Sequence, residues 1–165
     1  MKHLYSILIA AVAATGLATA LAAAEPPPAP PAGSPATYLS NRQLSAVMKA
    51  AVGNGGDPAL SPVGVTDQYF INKVHRAKSA AAVTHPGWTE VHIILEGGGT
   101  FVTGGEIKTL ADSTKVIEGG VTRSVSKGDV IIVPANTPHW YQKIDGSLDA
   151  IEVRFVAPEI AKVSK

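Results

Sequence analysis

From Val63 onward the chain consists of short β-branched runs separated by glycine pairs, the pattern of hairpins in an all-β domain. These runs predict strands near 67–76, 79–84, 90–95, 99–103, 120–126, 130–133, 138–143 and 149–155. Gly97-Gly98-Gly99 is placed to supply the positive backbone angles of a tight turn, and Gly119-Gly120 those of a second. Upstream the periodicity changes. Ser40-Asn-Arg-Gln43 is a capping box, Leu44, Val47, Met48 and Val52 follow at helical spacing, and Gly53 is a stop. A short amphipathic helix over 41–52 is therefore expected, with its apolar stripe packed on the β domain or on a partner subunit.

The first 24 residues open with Lys2, run apolar from Leu4 to Ala24, contain no acidic residue and end in Ala22-Ala-Ala24. That is the composition of a signal peptide with a small-residue cleavage site. The run is mostly alanine with Thr15, Gly16 and Thr19, which is weak material for a spanning helix. Cleavage, a periplasmic or secreted location and no stable membrane insertion are the expectation. Residues 25–37 are proline-rich, favour polyproline II and build no core, so they form a linker. The helix and a loop occupy 38–59, a single β domain 60–157, and a short tail 158–165.

Removing the leader takes away Lys2, so the formal charge goes from +1 to 0, since 1 minus 1 is 0. Neither a nucleic-acid patch nor a polybasic membrane surface is indicated. There is no cysteine, which excludes disulfide staples and thiolate catalysis and leaves nitrogen and oxygen as the available metal ligands. The glycine clusters are not followed by a P-loop Lys-Ser/Thr, and no Gly-x-Ser-x-Gly elbow or fixed-period repeat occurs.

Two stretches concentrate the chemistry: His85-Pro-Gly-Trp-Thr-Glu90-Val-His92 and Gly128-Asp-Val-Ile-Ile-Val-Pro134-Ala-Asn-Thr-Pro-His139. On an extended segment Glu90 and His92, two apart, share a face. Glu90 lies in an apolar strand, where an ionised carboxylate is costly to bury without a partner, so a cation is its expected companion. His75, in Tyr69-Phe-Ile-Asn-Lys-Val-His75-Arg76, is expected at the surface or behind the site, and His3 belongs to the leader.

Over roughly Gly64 to Phe155 these stretches resemble the two signature motifs of the cupin superfamily. His85, Glu90 and Gly97 fit the spacing of the first motif, and Gly128, Pro134 and His139 that of the second. Three positions depart: Val83 stands where the family has its first histidine, Asn136 where it has glycine, and Lys143 where it has asparagine. The resemblance implies an all-β, cupin-type antiparallel barrel (double-stranded β-helix or jelly roll), often dimeric, holding a metal by histidines and a glutamate. With Val83 in place of a ligand, the expected set is His85, Glu90, His92 and His139, with His92 either fourth ligand or general base beside Glu90. The metal is a divalent ion, with Fe, Mn, Zn, Ni and Cu all compatible with such donors. Trp88, Trp140 and Tyr141 flank these residues and are candidates to line a substrate pocket or simply to pack at the barrel mouth.

The function this implies is an exported, metal-dependent small-molecule enzyme of dioxygenase, lyase or isomerase type. Its competitor is a non-catalytic periplasmic module that binds or senses a sugar or an aromatic molecule, which the Val83 departure favours. Fold alone does not choose between them.

Overall fold

Two long strands organise the molecule, and both are bent. The computed structural model describes Pro28 and residues 31–156. The elements are α1 (Asn41–Gly53), β1 (Ala59–Val65), β2 (Tyr69–Arg76), β3 (Thr89–Thr103), β4 (Glu106–Thr109), β5 (Lys115–Glu118), β6 (Val121–Ser126), β7 (Val130–Val133) and β8 (His139–Phe155). All pairings are antiparallel. The main sheet runs β1-β2-β8-β3-β6, with β7 also on β3, and β4 and β5 form a separate hairpin. The leader expected at 1–24, part of the linker and the tail at 158–165 lie outside the described residues. Among the described residues no helix is long and apolar enough to cross a membrane.

The Gly97-Gly98-Gly99 turn is not formed, and the strands expected at 90–95 and 99–103 are one strand. β3 lies along β8 for its whole length while changing neighbours on its other edge, from β7 at Glu90–Ile93 to β6 at Gly98–Thr103. Its register against β8 slips between Ile94 and Glu96, between Gly97 and Gly99, and between Thr100 and Phe101. The glycines serve that change of neighbours. A Cβ on Gly97 would collide with the Ser147 carbonyl oxygen, one on Gly98 with that of Val125, and one on Gly99 with that of Lys143. They are bulge glycines that let backbones approach, rather than turn glycines. The Gly119-Gly120 pair does turn the chain, with Gly119 at φ 69°, between β5 and β6.

The segment 79–84 is not a strand. It is extended backbone holding one bridge, Val83 to His139. Three strands had no clear pattern: β1, interrupted by Pro62 and Gly64 and lying at a sheet edge where proline is tolerated, and the four-residue β4 and β5. The helix forms as expected. Ser40 Oγ accepts from Gln43 N at 3.3 Å and Gln43 Oε1 accepts from Ser40 N at 2.9 Å. It rests on β1 and β2 through Leu44, Met48 and Ala51, an i, i+4, i+7 stripe, while Val47 and Val52 remain exposed.

The core is Ile94, Phe101, Val125, Val133, Tyr141, Leu148 and Ala150, with Ile131 and Ile144 packed against it. On β3 the buried positions alternate as Glu90, His92, Ile94, and on the far part of β8 as Leu148, Ala150, Glu152. One interior therefore passes from apolar to charged along the same strands.

Candidate metal centre

Glu90 sits at the charged end and is 1% exposed. Its two carboxylate oxygens face different groups. Oε1 stands 3.4 Å from His139 Nε2 and 3.9 Å from His85 Nε2. Oε2 accepts from Arg154 Nε at 2.9 Å and lies 3.5 Å from His92 Nε2. Arginine and His92 thus fix the carboxylate and leave Oε1 turned toward the two imidazoles.

Each imidazole is positioned by backbone. His139 opens β8, and its amide and carbonyl bond to Val83 at 2.9 and 3.0 Å. The Thr137 carbonyl lies 3.0 Å from His139 Nδ1 and can only accept, so the proton is on Nδ1 and the Nε2 lone pair points at Glu90. His85 begins a turn closed by Trp88 N to His85 O at 3.2 Å. Inside that turn Gly87 N donates to Asn136 Oδ1 at 3.1 Å. Asn136 has φ 64°, so it adopts the left-handed backbone glycine would have there, and asparagine is the side chain that tolerates it best. The departure from glycine adds a hydrogen bond between the two motifs.

His85, Glu90 and His139 each present a donor atom within 4.8 Å of the other two, a group able to hold a metal ion. Donors about 2.0–2.2 Å from a transition metal lie about 3.0–3.5 Å from one another, so the spacings of 3.4 and 3.9 Å need only small closure. The protonation states also fit. Burial lowers the pKa of His85, against the pull of Glu90 and with the help of Arg154 and His139; His139 is lowered by burial too. For Glu90 burial acts upward but is outweighed by the adjacent His92 and by the charges of His139, Arg154 and His85, which together hold it at about 2. Neutral imidazoles and an ionised carboxylate are what coordination requires.

His92 stands outside this group. It is 2% exposed, its Nε2 faces Oε2 rather than Oε1, and Nδ1 lies 3.0 Å from the Tyr141 hydroxyl and 3.6 Å from Glu152 Oε1. Behind it Arg76 Nη2 donates to Glu152 Oε1 at 2.9 Å, and the Arg76 guanidinium lies 4.8 Å from the Tyr141 ring centre. Glu152 stays ionised despite burial because His92 and Arg76 pull its pKa down, while burial and Glu152 push the Tyr141 hydroxyl up, keeping it protonated.

Arg76, Glu152 and Arg154 were missed in the sequence. The signal was there for two of them: in Leu148-Asp-Ala-Ile-Glu152-Val-Arg154 the charged pair continues the inward face of Leu148 and Ala150. Of the other candidates, Trp140 and Tyr141 line a cavity of about 250 Å³ over the site together with Val83, His85, His92 and His139. Trp140 Nε1 is bonded to the Ala80 carbonyl. Trp88 is half-buried and is not among the lining residues. His75 pairs with Asp149 at 2.6 Å, away from the cavity.

A predicted oxalate decarboxylase from Thermotoga maritima is similar over 53% of this chain and 66% of its own, at 18% identity and TM-score 0.41. A putative mannose-6-phosphate isomerase from Ralstonia eutropha is similar over 59% and 83%, at 16% and 0.45. An uncharacterised double-stranded β-helix protein from Klebsiella pneumoniae is similar over 61% and 78%, at 16% and 0.47. No curated protein matches the chain. The family profile described as cupin matches residues 73–155, the span from β2 to the end of β8 that carries every residue of the site just described, and the chain belongs to that family.

Proposed function

We propose that this chain binds one divalent metal ion through His85, Glu90 and His139 and acts on a small molecule in the cavity above it. The observation that carries this is the division of Glu90, with Oε2 tied to Arg154 and Oε1 left facing two imidazole nitrogens. Three protein donors are the pattern of a catalytic rather than a closed structural site. Val83, 39% exposed and in the cavity wall, contributes no donor where the family has one, so a further position stays open to substrate. A bound divalent ion supplies Lewis acidity toward a substrate oxygen or acidifies a water. The chain's own residues do the rest. Arg154 and His92 orient Glu90, Tyr141 holds His92, and Trp140 and Tyr141 wall the substrate space. Dioxygenase, lyase and isomerase chemistry all suit such a site, and the enzymes named among the structural neighbours belong to this kind of small-molecule chemistry.

The second reading is a binding or sensing module, which Val83 supports if the loss of one ligand went with loss of turnover. Export is part of the proposal, resting on the leader-like residues 1–24. Mass spectrometry of the protein recovered from outside the cytoplasm is expected to give an amino terminus near Glu25. The test of the metal reading is elemental analysis of tag-free protein. Near-stoichiometric metal in the wild type, lost in a folded His139→Ala variant, is the expected result. Absence of metal from both after reloading removes the metal reading and leaves the binding module.

A further inference from the structure

Four charged side chains border the cavity region, and their balance changes when a metal enters. Arg76, Arg154 and Glu152 line the cavity, and Glu90 lies buried beside the lining imidazoles of His85 and His139. Two guanidiniums offset two carboxylates, and coordinating imidazoles are neutral. A divalent ion therefore leaves an excess of two positive charges in a space otherwise walled by Ala80, Ala81, Val83 and Trp140, where charge is poorly screened.

The donors that would meet a compensating anion are already present. Arg154 spends only Nε on Glu90. Its Nη2 is 3.9 Å from Glu152 Oε2, beyond hydrogen-bonding distance, and neither Nη has a hydrogen-bond partner among the described residues. The side chain is 27% exposed and sits in the cavity wall. Deeper in, Arg76 keeps a buried Nε with no hydrogen-bond partner among the described residues. Neutral hydroxyl oxygens can accept from a guanidinium, but only an anion also answers the charge excess.

We infer that the molecule taken by this cavity carries a carboxylate, gripped by the free Nη edge of Arg154 beside the metal. The inference rests on the metal reading and narrows its substrate class. A planar carboxylate matches the guanidinium fork, and a cavity of about 250 Å³ admits a small molecule, below the range that takes drug-sized ligands.

The test is calorimetric titration of zinc-loaded protein, with zinc content measured on the same sample. The probes are malonate and benzoate against their uncharged counterparts malonamide and benzamide. At least one carboxylate is expected to bind about tenfold or more tighter than its amide. Zinc-free protein is expected to lose that preference, and Arg154→Gln to lose about tenfold in carboxylate affinity while still holding zinc. Zinc-loaded wild type that shows no preference, whether it binds both members of each pair alike or neither, overturns the carboxylate inference and leaves the metal site standing. Failure to load zinc or any other divalent ion overturns the metal reading itself, and the charge excess with it.

Discussion

Along β3 and β8 the same barrel interior is built in two ways. At one end Ile94, Leu148 and Ala150 pack with Phe101, Val125 and Val133, and no partner need be specified beyond volume and shape. At the other end, further along the same faces, Glu90, His92 and Glu152 are equally buried, and their polar groups call for particular partners. Arg154 answers Glu90, Arg76 answers Glu152, and Tyr141 bridges the halves with its ring in the core and its hydroxyl on His92. The apolar end supplies stability. The charged end holds groups whose burial is unfavourable unless each is paired, and three of them form a group that could hold a cation.

Substitutions separate the two ends. The largest loss of stability is expected from Leu148→Ala, about 3–4 kcal/mol in denaturant unfolding of metal-free protein, with metal affinity unchanged. Glu90→Ala is expected to remove metal binding and to destabilise the metal-free protein by about 2–3 kcal/mol. The figure is below that of a fully buried pair because the Arg154 it strands is 27% exposed. A Leu148 variant that loses metal with its fold intact would break the division.

Acid distinguishes the ends again. The folded-state pKa of Glu90, about 2, lies below its ordinary 4.5, so the folded state binds fewer protons there. Its contribution is complete above pH 4.5 and is lost as pH falls from 4.5 toward 2. His85 and His139 also lie below their ordinary 6.5. The unfolded chain therefore takes up protons first as pH drops below 6.5, and stability declines from there. Metal-free protein followed by denaturant titration across this range is expected to show both phases, and Glu90→Gln to weaken the one below 4.5, which Glu90 shares with Glu152.

Tyr141→Phe is the smallest change. It keeps the ring in the core and deletes the hydroxyl bonded to His92, for about 1 kcal/mol of stability and about tenfold in metal affinity. Val83→His sharpens the same comparison, since a donor restored in the cavity wall is expected to raise metal affinity in a calorimetric titration.

Legibility in the sequence followed the same divide. Strand patterning and the Ser40–Gln43 cap could be read because they are local, and so could Glu90, since a carboxylate in an apolar strand has one inward neighbour to share a face with. The glycines of β3 were misplaced as a turn because their role depends on β6 and β8 backbones distant in sequence. The pairing of Arg76 and Arg154 stayed hidden for a related reason. Their partners are 76 and 64 residues away, and only the cross-strand register of β2, β3 and β8 brings them together. Val83 was visible as a departure but not as the backbone clamp on His139 that it proves to be.

The most direct test of the account is a cobalt(II) titration, followed by visible absorption, of the wild type and the His85→Ala, Glu90→Ala, His92→Ala and His139→Ala variants. Three donors with His92 behind them predict that the His85, Glu90 and His139 variants lose affinity by more than about a hundredfold, while His92→Ala loses about ten- to a hundredfold and keeps the wild-type spectrum. A His92→Ala protein that loses the band as completely as the others, or a His85→Ala protein that binds normally, would contradict the assignment of the three ligands.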